Sequence, residues 1–304
     1  MSKFKLEWII DRSDEGKMIK DFLKEKEISN TALTEIKYKG GKIAVNRHEV
    51  NVRHKLANDD RLLVEFPLEQ PSIGIEAEKL PLTILYEDEY ILVVNKDAGI
   101  STIPSREHPR GSLANALLGY YQELGLEATV HIVTRLDRDT SGVVLVAKHK
   151  HIHHLLSSQQ QAGSVKRTYE AFVEGLIQAD SGTIEMPIGR KSSSIIEREV
   201  RPDGKFARTH FKVIKLKTQF SHLLLELDTG RTHQIRVHLS YLGYPLIGDD
   251  LYGGSLHYIN RQALHCKKIS FNHPFTKHKM TFESDLPEDM KGLLQNDKKK
   301  HFEI

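Results

Sequence analysis

A short polar segment that leads directly into a buried strand constrains this chain most. Residues 135–142 read Arg-Leu-Asp-Arg-Asp-Thr-Ser-Gly, and the apolar run Val-Val-Leu-Val-Ala follows at 143–147. An aliphatic run this short, entered through Ser-Gly, predicts a tight loop that feeds a buried strand. Such a loop can hold a side chain rigidly over a cleft.

Two carboxylates and two arginines share this loop. A carboxylate kept ionised beside guanidinium groups can act as a nucleophile or as an electrostatic stabiliser. Asp139, next to Thr140 and Ser141, is typical of a turn residue that hydrogen-bonds the backbone. For Asp137 the residues alone leave a structural ion pair and a catalytic group as equal alternatives, because structural networks also collect Arg and Asp.

The same segment closely resembles the active-site motif of the RluA-type pseudouridine synthases. The resemblance implies that Asp137 is the catalytic residue of an enzyme that isomerises uridine to pseudouridine in RNA. It also leads us to expect RNA contacts from Arg135 and Arg138. The family usually has a His before the first arginine of the motif, whereas this chain has Thr134.

Two other segments resemble motifs of the same family. Residues 82–100, which predict two strands around an acidic turn, look like its first motif, with Lys-Asp-Ala-Gly at 96–99 where Lys-Pro-Ala-Gly is usual. Residues 166–175, which alternate as a strand does, match the segment that holds an active-site tyrosine and place it at Tyr169. A phenol ring can stack on an extruded uracil.

A third motif follows a predicted strand and turn. Residues 230–239, continuing to 243–249, strongly resemble the family's third motif. The resemblance leads us to expect that Arg231, at the start of the predicted helix, is the basic residue paired with Asp137, since a guanidinium offers a planar fork to a carboxylate. Arg236 is expected to contact RNA.

The first part of the chain is predicted to form a small module. Apolar residues at helical spacing predict helices near 18–23 and 31–36. Residues 42–46 and 50–52 predict a hairpin, and 59–66 predict a closing strand. This order is similar to the S4-like RNA-binding module that precedes the catalytic domain in many members of the family.

The expected fold class is α+β. Residues 1–67 would form the S4-like domain, and 68–81, with two prolines and little periodicity, a linker. Residues 82–304 would form a catalytic domain with a mixed, largely antiparallel central sheet flanked by helices and loops. Lys42 and Arg47 would lie against RNA phosphates; the alternative is a generic module whose basic residues form a solvated face.

Composition limits the partners and the compartment. The 304 residues are 39% hydrophobic and 28% charged, and the net charge of +3 permits RNA binding without requiring it. A lone cysteine, Cys266, excludes an internal disulfide and a cysteine-rich zinc site, which fits the cytoplasm. Residues 1–10 lack the apolar core of a signal peptide, and no run is long enough to span a membrane.

Histidines are the best candidates for metal ligands. Residues 149–156 contain four, and His149 and His153 have the i, i+4 spacing that suits zinc. No glutamate lies between them in the metalloprotease pattern, so a solvated helix face is the preferred interpretation and no metal is predicted. His233 and His238 are expected to be hydrogen-bonded parts of the structure.

The function predicted from these resemblances is an RNA pseudouridine synthase that acts on 23S ribosomal RNA. Isomerisation involves no net redox change, hydrolysis or energy input, so no cofactor is expected, and the family suggests a monomer. Three alternatives stay open: tRNA as the substrate, a noncatalytic S4-type RNA-binding or ribosome-associated protein, and a zinc-dependent nucleic-acid hydrolase.

Overall fold

The computed structural model describes residues 3–69, 74–105, 107–126 and 128–295. Within these residues a four-stranded sheet comes first and a ten-stranded sheet follows it along the chain. Residues 70–73 of the expected linker and 296–304 of the expected catalytic domain lie outside the described residues.

The N-terminal sheet is antiparallel and packs against two helices. In chain order its elements are β1 (Lys5–Ile9), α1 (Ile19–Glu25), α2 (Asn30–Tyr38), β2 (Lys42–Val45), β3 (His48–Glu49) and β4 (Arg61–Glu65). The strand order is β1-β4-β2-β3. Ser29 caps α2, since its hydroxyl accepts a hydrogen bond from the N–H of Ala32.

The hairpin of this sheet is tighter than the sequence pattern predicted. Residues 50–52 were expected to form its second strand, and that prediction is wrong. Asn46 and Arg47 both have positive φ, 50° and 72°. They form a two-residue turn that places His48 opposite Val45, because this backbone geometry matches the twist of the flanking strands.

The second part of the chain forms the larger sheet with helices around it. In chain order its elements are β5 (Thr83–Glu87), β6 (Ile91–Lys96), α3 (Leu113–Glu123), β7 (His131–Ile132), β8 (Ser141–Ala147), α4 (Lys150–Gln161), β9 (Lys166–Glu174), β10 (Ser181–Glu185), β11 (Ile188–Arg190), β12 (Arg198–Val200), β13 (Arg208–Leu216), β14 (Phe220–Leu227), α5 (Gln234–Tyr241), a 3-10 turn (Asp250–Tyr252), β15 (Leu264–Asn272), β16 (Lys279–Glu283) and α6 (Glu288–Gln295).

The larger sheet is mixed and largely antiparallel, which confirms the predicted fold class. Its strand order is β10-β13-β14-β9-β15-β8-β6-β5, with β16 beside β15 and β7 beside β8; β11 and β12 form a separate hairpin. Among the described strands, β8 and β15 make the one parallel pair. No helix in the described part of the chain is long and apolar enough to cross a membrane.

Strand β8 determines where the 135–140 loop lies. All seven residues of β8 are buried, because the strand pairs with β6 on one side and with β15 on the other. The loop therefore ends on a strand that cannot shift without disturbing the core.

Aromatic rings join the N-terminal sheet to the larger one. Phe4 stacks on His149 with ring centroids 4.1 Å apart, and Phe66 stacks on His151 at 5.3 Å. The predicted solvated helix face is wrong for these two histidines, since helix α4 begins against the N-terminal sheet. Burial lowers the pKa of each imidazole to about 4.

The described ends of the segment between the two sheets are hydrogen-bonded to elements of the second part of the chain. Glu69 accepts a hydrogen bond from the backbone N–H of Lys150 at 2.7 Å and pairs with His131 at 2.5 Å. Farther along, the N–H of Glu78 donates to the carbonyl of Asn115 at 3.0 Å. Contacts of this kind fix the entry of the chain into β5.

Candidate active site

A cavity of about 490 Å³ lies where the 135–140 loop meets the beginnings of β9 and α5. It gathers most of the site residues indicated by the sequence: Asp137, Tyr169, Arg231, Arg135, Arg138 and Arg236. Lys42 and Arg47 do not line it, because they belong to the hairpin of the N-terminal sheet.

Buried polar groups hold the loop that carries Asp137. The hydroxyl of Thr102 donates to the carbonyl of Leu136 at 2.6 Å and accepts the N–H of the same residue at 3.1 Å. The ammonium of Lys96 donates to the carbonyl of Arg138 at 3.0 Å and to two carbonyls of the 97–100 turn. Burial lowers the pKa of Lys96 to about 8, and nearby carboxylates oppose that shift. The loop is therefore fixed on both sides of Asp137.

The carboxylate of Asp137 faces the guanidinium of Arg236. Nη1 of Arg236 lies 3.4 Å from Oδ2 of Asp137. Asp249 accepts hydrogen bonds from Nε and Nη2 of Arg236, both at 2.7 Å, and the ring centroid of Tyr252 lies 4.8 Å from the guanidinium carbon. Burial alone would lower the pKa of Arg236. The hydrogen bonds and the negative charge of Asp249 outweigh burial, so the pKa of Arg236 is raised. Asp137 thus faces a guanidinium whose orientation is fixed by Asp249.

The prediction that Arg231 pairs with Asp137 is wrong. Arg231 is exposed and donates from Nε to the carbonyl of Phe206 at 2.8 Å. The arginine that faces Asp137 is Arg236. The side chain of Arg236 is 8% exposed and faces two carboxylates, and it lines the cavity; its contact with RNA stays a prediction. The pairing follows from the docking of α5, which buries residues 234–239 and with them Arg236.

His233 is a neighbour of Asp137 that the sequence did not indicate. Its Nε2 lies 3.9 Å from Oδ2 of Asp137, and its Nδ1 shares a hydrogen bond of 2.8 Å with the hydroxyl of Tyr252. Its φ of 56° is left-handed, a conformation that is uncommon for non-glycine residues and whose instances cluster at functional sites. Burial lowers the pKa of His233, and the charge of Asp137 opposes the shift. Only its place in the third motif could have signalled this position.

Tyr169 contributes an aromatic surface to the cavity. It lies in β9, opposite Leu225 of β14 and Cys266 of β15, and is 4% exposed. Burial raises the pKa of its phenol above the usual range. The ring therefore stays neutral at physiological pH.

Residues 90–241 match the family described as RNA pseudouridylate synthase. The matched part contains Asp137, Tyr169 and Arg236. The chain belongs to this family. The enzymes of the family are isomerases, as the sequence motifs indicated.

Named relatives cover most of the chain. An RNA pseudouridine synthase of Bacillus subtilis, YjbO, is 52% identical over 279 residues, which cover 92% of this chain and 99% of the relative. The ribosomal large subunit pseudouridine synthase D of Pseudomonas aeruginosa is 39% identical over 270 residues and covers 84% of each chain.

Solved structures share the fold at low identity. Human RNA pseudouridylate synthase domain containing 4 superposes with a TM-score of 0.58 at 20% identity, over 71% of this chain and 92% of the other. Human RNA pseudouridylate synthase domain containing 1 gives 0.56 at 24% identity, over 75% and 96%. Both support the architecture of the larger sheet and its surroundings.

Two positions depart from the motifs of the family, and both keep structural roles. Thr134, at the usual His position, is buried, and its hydroxyl accepts the N–H of Leu145 at 2.9 Å, which ties the loop to β8. Asp97, at the usual Pro position, offers its backbone carbonyl to Lys96 at 2.8 Å. Neither side chain lines the cavity.

Cationic side chains lie along the cavity beside Asp137. Arg135 and Arg138 are exposed, and Arg138 donates from Nε to Asp139 at 3.1 Å. Arg167, which the sequence did not single out, also lines the cavity. A Cβ at Gly230 would lie 2.8 Å from Nη2 of Arg167, so the glycine leaves room for this guanidinium. These arginines can attract phosphates to the cavity.

No group of three or more His, Cys, Asp or Glu residues in the described ranges is arranged to hold a metal ion. The histidines at the start of α4 serve packing, since His149 and His151 stack on aromatic rings. His238 bonds Thr209 and the carbonyl of Met186, each at 3.0 Å.

Proposed function

We propose that Asp137 is the catalytic residue of this pseudouridine synthase and that its substrate is 23S ribosomal RNA. The observation that carries the first part is the position of the Asp137 carboxylate. It borders the cavity with its Oδ2 3.4 Å from Arg236, whose guanidinium is bound to Asp249. A nucleophile or a group that transfers a proton needs such a fixed cationic partner together with an open approach.

The reaction defines what the site must do. The bond between C1′ of the ribose and N1 of the uracil breaks, the base turns, and a bond forms between C1′ and C5. The proton on C5 is lost and N1 gains one, so the atoms balance without an oxidant or water. Asp137 attacks the nucleoside covalently or removes a ribose proton, and both routes start from its ionised form. A carboxylate facing an electron-poor anomeric carbon follows the logic of glycosidases.

The target base must leave the RNA stack before it can reach Asp137. The cavity volume of about 490 Å³ suits a small planar ring. Tyr169 supplies an aromatic platform, while Arg135 and Arg167 provide charge for the backbone. Exclusion of water by the bound base would protect the cleaved sugar from hydrolysis.

Ribosomal RNA is the substrate that the relatives favour. The Pseudomonas aeruginosa relative is named for the large ribosomal subunit, and its similarity covers 84% of this chain. The domain of residues 1–67 would act as an S4-like module, with Lys42 and Arg47 against RNA phosphates, joined through 68–81 to the catalytic domain of 82–304. A tRNA substrate and a noncatalytic RNA-binding role are the alternatives.

The test measures pseudouridine in unmodified ribosomal and transfer RNA transcripts after incubation with purified protein, without cofactor or added metal. Asp137→Asn keeps the shape of the side chain and removes its charge. Asp139→Asn is the matched control, because Asp139 lies in the same loop and its carboxylate bonds the exposed Arg138.

We expect pseudouridine in large-subunit RNA with the unaltered protein and with Asp139→Asn, and none with Asp137→Asn. Product with Asp137→Asn would contradict the assignment of the catalytic residue. Product in tRNA alone would contradict the assignment of the substrate. Tight salt-sensitive RNA binding with no product on any transcript would favour the noncatalytic role.

A further inference from the structure

A second cavity adjoins the one that contains Asp137. It measures about 420 Å³ and lies between the β11–β12 hairpin, the turn at residues 203–205 and the loop at residues 230–232. Gly230, Arg231 and Thr232 line both cavities. An RNA strand bound beside Asp137 can therefore continue into the second cavity. We call this second cavity the hairpin cavity.

Backbone hydrogen bonds fix the shape of the hairpin cavity. Ile188 and Lys205 exchange two backbone bonds of 2.9 Å, so the turn folds back onto β11. On the other side, the N–H of Arg198 donates to the hydroxyl of Tyr252 at 2.9 Å. Tyr252 also bonds His233 beside Asp137. Tyr252 thus connects the β11–β12 hairpin to His233 in the cavity that contains Asp137.

The hairpin cavity has an uncompensated positive charge. Its charged lining residues are Arg190, Arg198, Lys205, Arg231 and Asp203. The single carboxylate among them is already bound by Arg201, which donates to it at 2.5 Å and 3.0 Å. Arg198 donates to two backbone carbonyls, which do not neutralise its charge.

Arg190 and Lys205 are the most available of these cations. Both side chains are exposed, and neither makes an ion pair with any residue that the structure describes. A neighbouring cation on the same hairpin behaves differently, since Lys191 is paired with Glu197 at 2.5 Å. Unpaired cations in a concave site are placed to bind an anion.

We propose that the hairpin cavity binds the phosphodiester backbone of the RNA strand next to the target uridine, with Arg190 and Lys205 as phosphate ligands. The proposal rests on the proposed function, since it continues the strand from the cavity that receives the base. Contacts of this kind provide affinity and position without sequence readout. Fixed anchors beside the cavity would hold the sugar of the target nucleotide against Asp137.

The test is the salt dependence of binding to a fluorescein-labelled single-stranded oligouridylate, measured by anisotropy with the full-length protein. Arg190→Gln and Lys205→Gln each remove one positive charge from the cavity. Lys191→Gln is the matched control, because it removes the same charge from the same hairpin at a paired position.

Each phosphate contact with a single strand contributes about 0.7 to the slope of log affinity against log salt. We expect Arg190→Gln and Lys205→Gln each to weaken binding and to reduce the slope by about 0.7, while Lys191→Gln leaves the slope unchanged. Equal losses in all three variants, unchanged slopes, or no salt-dependent binding by the unaltered protein would overturn the proposal.

The result is separable from that of the proposed function. Binding is measured without turnover. Absence of pseudouridine formation on every transcript would therefore reject the catalytic proposal, while the salt slopes would still test the hairpin cavity. Conversely, an active enzyme with unchanged slopes would reject the hairpin cavity alone.

Discussion

Arg236 binds Asp249 through two hydrogen bonds of 2.7 Å, and the same guanidinium turns its third nitrogen toward the cavity. Asp249 is 1% exposed and cannot reach a substrate in the cavity. Its carboxylate instead sets the orientation in which Arg236 meets Asp137. The catalytic carboxylate is thus positioned through a second, buried one.

Replacing Asp249 with Asn is expected to reduce kcat by about 100-fold, because a small displacement of a catalytic group has an effect of this size. The KM for RNA should change little, since the cations that line the cavity remain. Asp250→Asn is the matched control, as Asp250 is the exposed neighbour. Steady-state kinetics and thermal unfolding of both variants check this. A raised KM with normal kcat would contradict a positioning role.

Tyr169 is expected to act through its ring, because burial raises the pKa of the phenol and keeps it neutral. Tyr169→Phe should retain most of the kcat/KM of the unaltered enzyme. Tyr169→Leu should lose about 5- to 150-fold, which corresponds to about 1–3 kcal/mol of lost stacking. Both variants need a thermal unfolding measurement, since the residue also packs in the core. Loss of activity in Tyr169→Phe would show that the hydroxyl itself is required.

Asp137 and Tyr169, which the motifs indicated, both line the cavity, because Asp137 precedes the buried strand β8 and Tyr169 lies within β9. Both strands are visible in a short stretch of sequence. The choice between Arg231 and Arg236 could not be made that way, since it depends on how α5 docks between the cavity and the β11–β12 hairpin. The packing role of His149 could not be predicted from the local sequence either. It depends on Phe4, which is far away in sequence and meets the histidine only when the two sheets come together.

Gly142 is expected to be indispensable for the sheet that supports the catalytic loop. Its φ is 118°, and a Cβ there would collide with the backbone of Cys266 on the parallel strand β15. Gly142→Ala should therefore lower the free energy of unfolding by about 2 kcal/mol or more. Gly292→Ala is the control, because Gly292 lies in α6 with open space around it and should gain up to about 1 kcal/mol. Denaturant unfolding measures both; an unchanged midpoint for Gly142→Ala would contradict the close approach of the strands.

His151 is expected to make the protein sensitive to acid. Burial lowers its pKa from 6.5 to about 4, and its Nδ1 has no hydrogen-bond partner in the described structure. As the pH falls below 6.5 the unfolded chain binds a proton before the folded one does, so the free energy of unfolding decreases between pH 6.5 and 4. The loss is at most about 3 kcal/mol, and above this range His151 contributes no pH dependence.

His151→Phe should keep the ring stack with Phe66 and remove the buried nitrogen. We expect this variant to be at least as stable as the unaltered protein at pH 7, since an unpaired buried polar group costs about 1–3 kcal/mol. Its stability should fall less steeply toward pH 4. His154→Gln, on an exposed position of the same helix, should leave the acid sensitivity unchanged. Urea unfolding across the pH range checks this, and identical pH profiles for His151→Phe and the unaltered protein would place the acid sensitivity elsewhere.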